Sequence, residues 1–162
     1  MSHVATIEVD VKDLASLGAA CTTLGLELIQ GQQTYQCWGT GKTMERLVDY
    51  QNSSRKQLMP DGFRLDEMGH CEHAIRVKKT ANLHSQPYEI GLVKRRDGRA
   101  GYMLLCDLSG AYDIKQAAGD TMQKLKQQYA VEVAVRAAKR AGLRVIKREL
   151  RVDGSIAVVT QR

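Results

Sequence analysis

Apolar and polar positions alternate from the start of the chain. Ala5, Ile7, Val9 and Val11 are separated by Thr6, Glu8 and Asp10, the period of two that marks a strand with one buried face. The period then changes. Leu14, Leu17, Cys21 and Leu24 recur at helical spacing behind Asp13, whose carboxylate suits a helix N-cap, and Gly25 supplies the stop. LELIQ at 26–30 predicts a second strand. A turn at Gly31 and the run TYQCW at 34–38 predict its hairpin partner.

No clean period runs through residues 39–72. The segment holds a GTG turn, a short helical pattern from Met44 to Tyr50, the polar run QNSSRKQ and a turn at Pro60-Asp61-Gly62. It predicts a long, partly irregular excursion at the edge of one domain. Strand patterns return with HAIRV at 73–77, YEIGLV at 88–93 and YMLLCDL at 102–108, the last two joined by a turn centred on Asp97-Gly98. The near-continuous apolar run at 102–108 predicts an interior strand covered on both faces. Asp120 can then cap a long helix. Met122, Leu125, Tyr129, Val133 and Ala137 form its stripe and Gly142 its end. LRVIKRELRV, a turn at Asp153-Gly154 and SIAVVT predict a closing hairpin. No internal repeat appears.

These elements predict a single α+β domain over residues 1–162, a mostly antiparallel sheet with two helices packed on one face. Composition agrees. A chain of 162 residues with 43% hydrophobic positions buries enough surface to fold without a metal or disulfide. One Phe and one Trp make the core aliphatic. The opening MSHVATIEVD lacks the basic and apolar regions of a signal peptide. No apolar run reaches the ~18 residues of a membrane span. Cys21, Cys37, Cys71 and Cys106 form no CxxC pair, which fits reduced thiols and predicts a cytoplasmic protein away from membranes.

Candidate chemistry is sparse. Gly39-Thr40-Gly41-Lys42-Thr43 ends like a phosphate-binding loop, but the glycine that motif needs five residues earlier is Gln36. A plain glycine turn accounts for it. His70, Cys71 and His73 are metal-ligand types close in sequence. A zinc site would need His3, His84 or Cys106 brought in by folding. The plainer reading is a polar strand entry with a buried thiol, and no metal or cofactor is expected. Cys71 and Ser109 lack an evident base. The expectation is a protein that is not an enzyme.

Charge offers the remaining lead. The chain carries a net +6. Lys139, Arg140, Arg144, Lys147, Arg148 and Arg151 crowd one stretch, and Lys94, Arg95 and Arg96, with Arg99, crowd a hairpin tip. Side by side, the two clusters would make a phosphate-binding face. No aromatic is interleaved for base stacking. On an extended strand Arg144 and Arg148 share a face with Ile146 and Leu150 while Lys147, Glu149 and Arg151 take the other, unless a bulge intervenes. That split suits edge protection.

Two blocks carry a family resemblance. Met1-Ser2-His3 with its alternating strand and KDLASLGAACTTLGL is one. QQYAVEVAVRAAKRAG followed by a strand and DGSIAVV is the other. Together they resemble a family of small proteins encoded in red-algal plastids, cyanobacteria, other bacteria and some phages, known as a domain of unknown function. The resemblance covers the first 30 residues and roughly residues 88–160. Residues 39–72 depart from it and predict an insertion. It implies a compact intracellular α+β domain and brings no activity, cofactor or catalytic residue. Relatives encoded near AAA+ ATPases imply an accessory role, which is association rather than mechanism. The expected function is therefore a non-enzymatic accessory protein with a protein partner. A nucleic-acid-binding module is the first alternative and a small metal-binding protein the second.

Overall fold

The computed structural model describes residues 3–78 and 87–162. Strand β1 (Ala5–Val11) and helix α1 (Leu14–Thr23) form as their periods dictate. The Asp13 carboxylate accepts the Ala15 and Ser16 N–H groups at 3.0 and 3.2 Å. This satisfies donors that a helix start leaves open. Gly25, at φ +72°, turns the chain into β2 (Leu26–Gln30). Further along lie α2 (Met44–Ser54), β3 (His73–Val77), β4 (Ile90–Lys94), β5 (Tyr102–Cys106), α3 (Tyr112–Ala118), α4 (Gln123–Arg140), β6 (Arg144–Leu150) and β7 (Ile156–Gln161). The molecule is a single α+β domain.

β1 to β5 make one antiparallel sheet in the order β1-β5-β4-β3-β2. As expected, β5 is an interior strand covered on both faces. Leu104 and Cys106 point into one core, and Leu105 into the other. The two cores correct the expectation of two helices on one face. On one side Leu17, Ile114 and Leu125 of α1, α3 and α4 pack over Ile75, Ile90 and Leu92. On the other, Tyr35, Leu47 of α2, Leu58 and Met68 pack over Ala74, Val93 and Leu105. The stretch 39–72, expected at the edge, supplies most of this second cover.

TYQCW is not the partner of β2; β3 is. The reason lies in a different set of bonds. The Tyr35 N–H donates to Gly69 O, Cys71 N–H to Gln33 O and Glu89 N–H to Gln36 O, all at 2.8 to 2.9 Å. The buried Glu89 carboxylate accepts the Gln36 N–H and the Gln32 amide, each at 2.9 Å. These bonds lay residues 32–37 against residues 69–71 and the start of β4. The Tyr35 ring then lies on Gly91, where a Cβ would stand 2.3 Å from a ring carbon.

α3 was not foreseen, and it delays the long helix. α4 begins at Gln123 rather than behind Asp120, after Met122 at φ +61° with its side chain fully buried. Its buried stripe also differs from the apolar one. Leu125, Gln128, Tyr129, Glu132 and Val135 are buried, whereas Val133 and Ala137 are exposed. The closing hairpin forms as predicted but stands apart, a two-stranded sheet of β6 and β7 seated on α4.

Candidate functional site

The end of α4 and the C-terminal hairpin together hold most of the molecule's net charge. Residues 139–162 contain seven Lys or Arg and two acidic residues, a net +5 of the chain's +6. Lys139 and Arg140 lie exposed in the last turn of α4, where cations complement the helix dipole. Gly142, at φ +74°, turns the chain into β6.

A bulge decides how the strand presents its cations. Val145 faces Thr160 while Lys147 faces Val159, so Ile146 is an extra residue on β6. Facing pairs share a side, and sides alternate along β7. Arg144, Lys147 and Glu149 therefore share one side with Gln161, Val159 and Ala157. Val145, Arg148 and Leu150 share the other with Thr160, Val158 and Ile156. The bulge moves Arg144 across: a regular strand would put it beside Arg148, whereas here it joins Lys147 and, with the alternation continued past Leu150, Arg151, while Arg148 keeps the other face. Lys147 pairs with Glu149 at 3.0 Å.

Arg148 does different work. Its guanidinium forks onto the Glu132 carboxylate at 2.7 and 3.2 Å, and Gln128 donates to the same carboxylate at 2.8 Å. Glu132 is buried. This network, with the Gln127 amide donating to Gly154 O, fastens the hairpin along α4. Sequence patterning missed Glu132 and Gln128 because a polar residue inside a helical stripe reads as surface. The hairpin also exposes aliphatic side chains. Ile146 is 54% and Leu150 72% accessible, and Val152 is fully exposed.

The second basic cluster lies elsewhere and is largely neutralised. Arg95 pairs with Asp10 and Asp97, Arg99 with Asp97, and Arg96 with Glu67. Arg96 also stacks on Phe63, 4.1 Å from the ring centre, on the side of the sheet opposite α4. Lys94 is exposed at the end of β4. The two clusters thus do not form one face.

Lys94, Arg95, Arg96, His70 and Cys71 do line a common cleft of about 320 Å3 with Glu67, Glu72 and Phe63. Its chemistry is quiet. The Cys71 thiol donates to Gln32 O, and burial pushes its pKa up to about 12. That removes the thiolate needed for attack or metal binding. His73 turns away, its Nδ1 accepting the Gly31 N–H at 2.9 Å and its ring edge-on to Tyr102. Among the described residues no three His, Cys, Asp or Glu side chains converge on a metal position. His84 lies outside the described residues.

The other candidates are structural. The Ser109 hydroxyl and N–H both donate to Asp107, closing a turn. The GTGKT segment is a turn in which Thr40 bonds Tyr35 O and the Cys37 N–H. Gly39 abuts Met68, whose sulfur would lie 1.9 Å from a Cβ. Thr43 caps α2. All four cysteines are free and buried. Among the described residues no helix is long and apolar enough to cross a membrane.

A family model described as a protein of unknown function, DUF1257, matches residues 43–159. That span runs through residues 43–72 and the whole sheet beyond β2, α4 and the hairpin. No curated protein and no solved structure matches the chain. With most of its length inside the match, the chain belongs to the DUF1257 family of proteins of unknown function.

Proposed function

We propose that this protein is a non-enzymatic accessory protein that binds an acidic protein surface through its C-terminal hairpin. The observation that carries the reading is the joint placement of a net +5 over residues 139–162, the end of α4 and the hairpin, with three exposed aliphatics on that hairpin, Ile146, Leu150 and Val152. Cations steer an acidic partner to the surface, and aliphatic side chains hold it once water is expelled. A second copy is a poor occupant of the hairpin, since like charges would meet. An AAA+ ATPase is the partner class that the family resemblance suggests, in a cytoplasmic setting.

Nuclease-treated affinity purification from the host tests the reading. The wild-type chain should retain one protein partner, and Ile146→Ser with Leu150→Ser should lose it. Retention by the double variant equal to wild type would sink the proposal.

The alignment of Arg144, Lys147 and Arg151 on one face favours a second reading, a basic ribbon on a nucleic-acid backbone. In that case the bound material would disappear on nuclease treatment. Affinity for DNA or RNA would fall linearly with log salt, with a slope reduced by about one per cation removed. Nothing in the described residues favours the metal-binding alternative.

A further inference from the structure

We propose that the acidic partner of the hairpin, which rests on the reading given above, binds as an extended segment added as a third strand along the outer edge of β6. β6 is the open strand of the two-stranded sheet. All its residues but Val145 are exposed, whereas Ile156, Ala157, Val158 and Val159 of β7 are half-buried. The Arg151 N–H donates inward to Ser155 O at 2.8 Å. An antiparallel ladder alternates, so Glu149 and Lys147 also bond β7. The N–H and C=O groups of Arg148 and Leu150 then point out of the sheet.

The two kinds of contact that the hairpin offers lie on opposite faces of β6. Arg144, Lys147 and Arg151 share one face. Leu150 lies on the other, beside Arg148 and towards α4. Leu150 is nonetheless exposed, so it overhangs the helix instead of packing beneath it. A helix laid on either face would meet only the cations or only the aliphatic side. A strand running beside β6 meets both, because its own side chains alternate between the two faces. Its acidic residues fall beside the cations and its aliphatic ones beside Leu150. A shallow pocket of about 500 Å3 around residues 149–153 takes in both faces.

Charge selects the occupant. Arg144 and Arg151 are exposed and enter no ion pair among the described residues. Arg144 faces Gln161 and Arg151 faces Ser155, six positions apart along β7, which is roughly 20 Å at the rise of a strand. A segment of about seven residues therefore spans both cations, and its two ends point to the same face. Cations on an edge strand keep neutral and basic strands away. An acidic strand neutralises them instead, so the side chains that protect the edge also choose its partner. A second copy would set cations against cations.

A blocked heptapeptide added to the full wild-type chain at low salt tests this. Valines occupy its even positions and glutamates its odd ones, with threonine where a glutamate would meet Glu149. Titration should shift the amide signals of Arg148 and Leu150 and slow their exchange. The valine N–H groups are the ones that meet β6. N-methylated valines should therefore weaken binding about tenfold, since two hydrogen bonds are lost. A peptide of the same composition with its glutamates gathered at one end should lose as much. Equal binding by either control, shifts that avoid Arg148 and Leu150, or no binding up to millimolar peptide would overturn strand addition. The affinity purification decides the hairpin reading separately. A partner lost with Ile146→Ser and Leu150→Ser, beside a heptapeptide that fails, removes the strand and leaves the hairpin contact standing.

Discussion

Tyr35 is fully buried, yet its hydroxyl has no hydrogen-bond partner among the described residues. Burial drives its pKa far above the ordinary phenol value. A buried hydroxyl without a partner carries its desolvation cost uncompensated. Tyr35→Phe should therefore stabilise the protein, by about 1 kcal/mol. Urea unfolding measures this, and a clear loss of stability would mean that the hydroxyl has a partner. Glu67 shows the opposite balance. It accepts from Arg96 and from the Arg64 N–H, which hold its carboxyl down at about 2 against an ordinary 4.5. A carboxylate lowered by folding stabilises above its unfolded value, and the benefit drains away as pH falls through the folded one. Glu67→Gln should thus cost up to about 1 kcal/mol at neutral pH, as partly exposed pairs do. The difference from wild type should shrink between pH 4.5 and 2. A difference that persisted unchanged at the acid end would rule out the ion pair as its source.

At the scale of elements, the hairpin contributes no side chain to either of the two cores. Its main seat is α4, and the seat is polar: Glu132, Gln128 and Arg148. Sequence patterning treats Arg144 and Arg148 alike, so charge reversal of both should spare the fold. The structure separates them. Arg144 is exposed, and its reversal should leave stability unchanged. Arg148→Met strands the buried Glu132 carboxylate and should cost about 2 kcal/mol. Adding Glu132→Leu should recover much of that loss. Thermal unfolding of the three variants distinguishes positioning from surface charge. Equal effects at Arg144 and Arg148 would contradict the network. Elements with few apolar contacts open first. Amides of β6 and β7 should exchange faster than those of β4 and β5, whose strands lie between two cores; equal protection would show a hairpin anchored far better than its contacts suggest.

For the whole molecule, what matters is how charge is distributed. With 139–162 set aside, the remaining residues sum to only +1, so the body is nearly neutral and the end of α4 with the hairpin is a positive arm. Reversing Arg144 and Arg151 together should weaken binding of an acidic partner several-fold at low salt and little at high salt. Reversing Lys124, exposed near the start of α4, and the half-buried Lys126 beside it should do neither. Equal losses from both pairs would mean that net charge, not the hairpin, drives binding.

The strands, α1 with its Asp13 cap, the turns at Asp97-Gly98 and Asp153-Gly154, and the interior position of β5 were legible in the sequence. Each rests on local periodicity or on a residue's own backbone preference, which act within a few positions. The partner of β2, the second cover built from residues 39–72 and the late start of α4 were not legible. They depend on contacts between distant residues, such as Glu89 with Gln36 and Tyr35 with Gly91. The candidate site divides in the same way. The basic stretch was visible as composition. Which cations face outward was decided by one extra residue, Ile146, and by a buried carboxylate on a helix sixteen positions before Arg148. A strand's alternation is local, but the bulge that resets it and the ion pair that anchors it exist only once the hairpin has closed and docked on α4.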